Sequence, residues 1–182
     1  MSRKYKFRDQ DKLYFVSFSV VYWLDIFIRN EYREIVLDSI RYHQKNKGLE
    51  VYSWCIMSSH IHMIIGSEGE KMEKIMQGIK SVTSRNLKGA IKGNNRESRK
   101  EWVLWMMERA GKINKHNGAF QFWQEGNHPV ELYDNEIMEQ KLDYIHKNPV
   151  EAGFVDRAEE YLYSSARDYC GVKGLLDIKL IS

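Results

Sequence analysis

The segment spanning residues 60–66 constrains the fold of this 182-residue chain more than any other. Its residues alternate in character, which is typical of a β-strand because successive side chains point to opposite faces of the sheet. One face is entirely apolar and consists of Ile61, Met63 and Ile65. The other carries His60 and His62. We expect helices to cover the apolar face, which leaves the histidines on the opposite, solvent-accessible side.

The rest of the chain supplies the elements that such a sheet needs. Strand-like composition marks residues 13–23, 49–57, 60–66, 120–124 and 130–133. The spacing of apolar residues predicts helices at 30–46 and 70–87. A third helix would start at the capping residue Asp134 and end near Asn148, where Pro149 blocks continuation. This order predicts an α+β fold, a ferredoxin-like antiparallel sheet with helices packed on one face.

We expect one domain spanning residues 1–182, because the chain has the length of a single domain. Residues 89–118 are basic, punctuated by glycine and weakly patterned, which indicates an insertion. A C-terminal tail begins at about residue 156. The composition is 43% hydrophobic, so the chain can bury a core and wholesale disorder is excluded.

Nothing in the sequence indicates a membrane or secreted protein. The basic first residues are not followed by the apolar core of a signal peptide, and residues 13–23 are too short and interrupted to span a bilayer. The two cysteines have no disulfide or metal-binding spacing, so we expect both to be reduced. These features predict a soluble cytoplasmic protein.

Positive charge is concentrated between residues 80 and 115. The net charge of +3 is modest, but this stretch contains ten basic residues against three acidic ones. Such clustering is the electrostatic signature of a surface that binds a phosphate backbone. A solvated surface without a partner is the alternative.

His60 and His62 form a candidate metal site. They would lie about 7 Å apart along a strand, and two imidazoles at that separation can lean onto one cation. The alternative is a pair of surface or hydrogen-bonded histidines. The pair points to a metal site only if a third ligand and a nucleophile lie nearby.

Tyr144 and Asn148 are candidates for those two roles. They lie four residues apart on the last predicted helix and therefore share one side of it. The packing stripe of this helix consists of Met138, Leu142 and Ile145. At the edge of that stripe, Asn148 could offer its amide oxygen to a metal while the Tyr144 hydroxyl faces a cleft. The alternative is a core tyrosine followed by an Asn-Pro helix stop.

Four segments together resemble the single-tyrosine HUH transposases, and more closely their REP-associated bacterial branch. HUH denotes two histidines around a hydrophobic residue, here residues 60–62. The other three segments are residues 122–126, 144–155 and 161–166. The resemblance covers roughly residues 10 to 170. The chain departs from the family at Ser58 and Ser59, because the family usually has Asn immediately before the first histidine. Loss of that amide could weaken a hydrogen bond to a metal ligand.

The resemblance implies that Tyr144 cleaves single-stranded DNA. A phenol has a pKa of about 10, so it needs an activated phosphate. The family implies Mg²⁺ or Mn²⁺ on His60, His62 and Asn148, although the ligands alone do not exclude zinc. Attack would leave a 5′-phosphotyrosine and a free 3′-hydroxyl, so strands could be rejoined without ATP. The proton acceptor is not assigned; the candidates are His128, His146 and Lys147.

The resemblance also implies a partner: hairpin DNA from repeat elements, with a single-stranded guide beside the stem. Candidate DNA contacts are Lys80, Arg85, Lys88, Trp123 and Arg167. The tail tyrosines are further candidates for stacking on unpaired bases, and core packing is the alternative for all these aromatic residues. Such a protein would act at the nucleoid in the cytoplasm, as a monomer or a homodimer.

Two other functions stay open. One is a domesticated, catalytically weak protein that binds hairpin DNA, which the Ser58 and Ser59 departure favours. The other is a hydrolase that uses two-histidine metal chemistry on RNA or a nucleotide. That hydrolase would have no use for Tyr144.

Overall fold

A computed structural model of the chain describes residues 6–114 and 118–181, and its centre is a four-stranded antiparallel sheet. The strands are β1 (Tyr14–Ser19), β2 (Leu49–Ile56), β3 (His60–Ser67) and β4 (Val130–Glu131). Their order across the sheet is β2-β3-β1-β4, so the histidine strand is central. The predicted α+β class is confirmed.

Within residues 6–114 and 118–181, five α-helices surround the sheet. They are α1 (Asn30–Lys47), α2 (Met72–Gly93), α3 (Lys100–Ile113), α4 (Asn135–Glu151) and α5 (Ala166–Tyr169). Helices α1, α2 and α4 were predicted, whereas α3 lies in the segment interpreted as an insertion. Val103 and Met107 of α3 are buried, so that segment contributes to the core. Its residues 115–117 lie outside the described residues. No helix in the described ranges is long and apolar enough to cross a membrane.

The register of the sheet gives the histidines small neighbours. On β1, Ser19 lies opposite His60 and Ser17 lies opposite His62. On β2, Cys55 lies opposite His62. Residues directly opposite each other in antiparallel strands point to the same face. Ser17, Ser19 and Cys55 therefore share the histidine face of the sheet.

Helices lie on both faces of the sheet. On the apolar face, the Phe18 ring contacts Trp123 at 4.9 Å, and Trp123 Nε1 donates to Thr83 Oγ1 of α2 at 3.0 Å. On the histidine face, the Tyr144 ring of α4 packs on Phe15 at 6.0 Å. The prediction that the histidine face is open to solvent is therefore wrong, because α4 has an apolar side of its own to bury there.

Helix α4 begins as predicted but ends later. Asp134 Oδ1 accepts a hydrogen bond from Ile137 N at 2.8 Å, which is the predicted N-cap. The prediction that Pro149 ends the helix is wrong, since α4 continues to Glu151. A proline in the last turn removes one hydrogen bond, and the chain turns away at Gly153, whose φ of 72° is accessible to glycine at little cost.

The C-terminal tail pairs with the free edge of β2. Ile56 N donates to Tyr163 O, and Ser165 N donates to Trp54 O, both at 2.9 Å. Tyr161 and Tyr163 are buried, and the Tyr161 hydroxyl donates to Ile56 O at 2.9 Å. The prediction that these two tail tyrosines stack on DNA bases is therefore wrong. Their role is to cover a sheet edge, which would otherwise expose unpaired backbone groups.

Candidate active site

His60, His62 and Tyr144 come together on one face of the sheet. The ring centroids of His60 and His62 are 4.8 Å apart, and those of His62 and Tyr144 are 5.1 Å apart. Phe15 stacks on the His62 ring at 5.6 Å and so fixes its plane. The packing of α4 on the sheet thus brings the predicted nucleophile against the predicted metal ligands.

His62 is a buried polar group without a partner. It is 4% exposed, and neither Nδ1 nor Nε2 has a hydrogen-bond partner within the described protein. Burial, with the neighbouring His60 and Lys141, lowers the pKa of His62 to about 3. The ring is therefore neutral at physiological pH, the form that binds metals. An unpaired buried polar group costs about 1–3 kcal/mol, so a bound ligand would relieve a real penalty.

His60 is half-buried, and its ring is held by the preceding residue. Burial lowers the pKa of His60, so this imidazole also favours the neutral form. A hydrogen bond of 3.2 Å joins Ser59 Oγ to His60 Nδ1, which leaves Nε2 as the nitrogen for a ligand. Ser59 replaces the asparagine expected from the family resemblance. Ser59 thus supplies a hydrogen bond of its own to the candidate ligand His60.

Tyr144 is 43% exposed, with its ring packed and one side open to solvent. Lys141 Nζ lies 5.7 Å from the centre of the Tyr144 ring and 5.1 Å from the centre of the Phe15 ring. Sequence reasoning missed Lys141. The signal was its position three residues before Tyr144, which puts the two side chains on the same side of a helix.

Asn148 lies one helical turn beyond Tyr144 and is half-buried. Its Nδ2 donates to the Tyr144 carbonyl at 3.2 Å. Successive turns of α4 lie over different residues of the sheet. Lys141 lies over Phe15, and Tyr144 lies over His62. Across residues 6–114 and 118–181, no group of three or more His, Cys, Asp or Glu could hold a metal. No third His, Cys, Asp or Glu therefore joins His60 and His62 in the described residues, and Asn148 stays a prediction as the amide ligand.

His146 and Lys147, both candidate proton acceptors, are engaged by neighbouring side chains. His146 Nε2 hydrogen-bonds Ser165 Oγ at 2.9 Å and Ser53 Oγ at 3.2 Å. Lys147 pairs with Asp143 at 2.6 Å. His146 thus joins α4 to the tail and the sheet, which is a structural role.

The half-buried His146 should make the protein less stable in acid. Burial lowers its pKa to about 4, whereas an unfolded histidine has a pKa of about 6.5. Protonation therefore favours the unfolded chain, so the stability is present above about pH 6.5 and is lost as the pH falls towards 4. Between pH 7 and pH 4.5, the free energy of unfolding of the wild type should fall by about 2–3 kcal/mol more than that of His146→Gln. Urea unfolding at both pH values measures this difference. An equal loss in both proteins would contradict it.

Half of the chain matches a known protein family. Residues 18–109, just over half of the chain, match the family described as "Transposase IS200 like". The chain belongs to the IS200-like transposase family. The matched segment contains His60 and His62 and ends before Tyr144 and Asn148. Membership in a transposase family implies an enzyme that cleaves DNA.

Solved structures show which fold this transposase shares. A REP-associated tyrosine transposase bound to a REP hairpin matches with a TM-score of 0.67 and 17% identity, covering 100% of this chain and 96% of that chain. A protein from Deinococcus radiodurans R1 matches with a TM-score of 0.45 and 14% identity, covering 79% of this chain and 95% of that chain, which is too distant to carry an argument. No curated protein sequence matches this transposase significantly.

Lys80, one of the predicted DNA contacts, forms its hydrogen bonds within the protein. Lys80 Nζ donates to Gln124 O at 2.9 Å, to Gly126 O at 2.8 Å and to Asn127 Oδ1 at 3.1 Å. These contacts use all three of its donors, and burial lowers the pKa of Lys80 to about 8. The prediction that Lys80 binds phosphate is therefore wrong. Lys80 instead holds the loop before β4 against α2.

We expect Lys80→Met to destabilise the transposase by about 2–4 kcal/mol, because it removes three hydrogen bonds and leaves their acceptors unpaired. Urea unfolding measures this change. Arg85→Met is the control on the same helix, and because Arg85 is exposed we expect a change within about 0.5 kcal/mol. Equal stabilities of the two variants would contradict the anchoring role.

The other predicted DNA contacts differ in their surroundings. Trp123 is 5% exposed and belongs to the core, so the prediction that it stacks on bases is wrong. Arg85 is exposed on α2, and Lys88 Nζ lies 4.2 Å from the centre of the Phe120 ring. Arg167 is half-buried, and its Nε has no hydrogen-bond partner among the described residues. DNA binding by Arg85, Lys88 and Arg167 stays a prediction.

Proposed function

We propose that this transposase cuts and rejoins single-stranded DNA beside a hairpin, with Tyr144 as the nucleophile. One observation carries the proposal. The Tyr144 ring packs against His62, whose two ring nitrogens are buried without a partner in the described protein. A buried histidine with only a structural role would be expected to have a hydrogen bond. The 43% exposure of Tyr144 leaves it accessible to DNA.

The side chains around Tyr144 fit a divalent cation, Mg²⁺ or Mn²⁺. His60 and His62 offer neutral imidazole nitrogens, and Asn148 offers an amide oxygen at the next turn of α4. All three ligands are uncharged, so the full charge of the cation would act on the DNA. When bound, the cation would polarise a non-bridging oxygen of the scissile phosphate. Imidazoles also suit zinc, so zinc belongs in the test.

Tyr144 would attack the phosphorus in line with the leaving 3′ oxygen. The bond from the tyrosine oxygen to phosphorus forms, and the bond from phosphorus to the 3′ oxygen breaks. The phenol proton is lost to water, and the 3′ oxygen takes up a proton. Lys141 places a positive charge beside the Tyr144 ring, where it would attract the phosphate that Tyr144 attacks. One phosphodiester replaces another, so a 3′-hydroxyl can reverse the step.

The hairpin partner rests on the shared fold and on charge. The solved structure with the same fold is bound to a REP hairpin. The basic stretch on α2 and α3, which includes Arg85 and Lys88, offers phosphate contacts once Lys80 is set aside. Tyr144 contacts His62 of its own chain, which supports cleavage in cis by a monomer or within each chain of a homodimer. Such a protein would act at the nucleoid in the cytoplasm.

The test is a cleavage assay on labelled hairpins with single-stranded flanks on either side. Magnesium, manganese, zinc and EDTA are compared. We expect a covalent protein–DNA adduct that forms with a divalent cation and is lost in EDTA. Tight hairpin binding without an adduct under every condition would instead favour the catalytically weak binding protein. Hydrolysis of RNA or a nucleotide without an adduct would favour the two-histidine hydrolase.

A further inference from the structure

The turn between β1 and α1 carries two exposed aromatic side chains in an uncommon backbone conformation. Tyr22 and Trp23 have φ values of 55° and 56°. Bulky L-residues rarely adopt this left-handed region, and two in succession are more unusual still. Trp23 is 58% exposed and Tyr22 is 44% exposed. The chain thus accepts strained backbone and exposed aromatic surface at the same place.

The surrounding chain holds this turn rigidly against the histidine strand. Val20 N donates to Ser59 O, and Phe27 N donates to Ser58 O, both at 2.8 Å. Both acceptors belong to the segment that leads directly into His60. Strained conformations persist only where neighbouring contacts determine them, and they cluster at functional sites. The turn and the histidines therefore keep a fixed relative position.

Trp23 reaches the candidate metal ligand directly. Its ring meets the His60 ring edge-to-face, with centroids 5.4 Å apart and an angle of 73° between the planes. A tryptophan whose purpose is core packing would bury most of its surface, as Trp54 and Trp123 do. Trp23 instead leaves more than half of its surface in solvent beside His60. That exposed surface is available to a flat, unpaired ligand.

We propose that Trp23 is a stacking platform for the unpaired base next to the scissile phosphate. This inference rests on the proposed function, because a phosphate held at His60 and His62 brings its own nucleotide into reach of Trp23. Aromatic rings stack on any base through its π-face, so the platform holds the strand with little sequence preference. The rigid turn positions the strand for attack by Tyr144.

The test uses hairpins that carry 2-aminopurine at single positions in the unpaired flanks. Its fluorescence is quenched when the base stacks. All proteins carry Tyr144→Phe, so stacking is measured without cleavage.

Trp23→Asn removes the ring, and Asn tolerates the left-handed backbone, so we expect its Tm to equal or exceed that of the parent. Trp23→Phe keeps a smaller ring. Tyr42→Ala is the control, since Tyr42 is a similarly exposed aromatic residue on α1.

We expect Trp23→Asn to abolish quenching at one or two flank positions. It should weaken binding of the flanked hairpin roughly ten-fold and leave binding of the unflanked hairpin unchanged. Trp23→Phe should be intermediate, and Tyr42→Ala should match the parent. Unchanged quenching in Trp23→Asn, equal weakening with and without flanks, or no quenching in the parent would overturn the platform. Adduct formation by the wild type would still support cleavage in each of those cases.

Discussion

Tyr144→Phe is expected to abolish the covalent adduct while leaving the fold and hairpin binding intact. Phenylalanine keeps the ring that packs on Phe15 and His62, and only the nucleophilic oxygen is lost. We expect the rate of adduct formation to fall by at least about 1000-fold, because the covalent step has no substitute. The free energy of unfolding should change by less than about 0.5 kcal/mol at this half-exposed position.

Denaturing gels with labelled DNA measure the adduct, and hairpin affinity is measured in parallel. Tyr133→Phe is the matched control, since it removes the same hydroxyl from an exposed tyrosine just before α4. It should retain full adduct formation. Undiminished DNA cleavage by Tyr144→Phe would contradict the tyrosine mechanism and would favour a hydrolase that uses the histidines alone.

His62→Leu is expected to abolish activity and to stabilise the metal-free protein. The two ring nitrogens of His62 are buried and unpaired, and leucine removes that penalty at similar volume. We expect the free energy of unfolding without metal to rise by about 0.5–2 kcal/mol. Adduct formation should fall at least about 100-fold, since the scissile phosphate would lose a ligand of its cation.

Metal-dependent stability gives a second measurement on the same variant. Manganese at about 100 times its dissociation constant should stabilise the wild type by about 2.7 kcal/mol and leave His62→Leu unchanged. His43→Leu is the control, because His43 is equally buried but its Nδ1 is bonded to Ser39 O at 2.7 Å. It should be less stable and keep the manganese effect. A His62→Leu variant that behaves like His43→Leu would mean that His62 is structural.

The same two variants also test cleavage in cis. Tyr144→Phe keeps its histidines, and His62→Leu keeps its tyrosine. A mixture should stay inactive if each Tyr144 serves the histidines of its own chain, as their contact indicates. Recovery of adduct formation in the mixture would show that tyrosines are exchanged within a dimer.

Predictions from the sequence succeeded where the signal was local. The alternation along residues 60–66, the spacing in α1 and α2, and the Asp134 cap each depend on a few neighbouring residues. The predicted end of α4 was wrong because the helix continues past Pro149. The turn at Gly153, four residues later, determines where it ends. The charges of Lys80 and Arg85 look alike in the sequence, yet only the contacts of Lys80 with the loop before β4 distinguish them.

The sequence by itself determined that His60 and His62 share one face and that Tyr144 and Asn148 share one side of a helix, because both follow from the periods of strand and helix. Only the tertiary structure decided that α4 crosses the histidine face. It also decided that His62 loses its contact with water, and that Trp23 stands beside His60. These features depend on contacts between residues far apart in the chain, and no local period encodes such contacts.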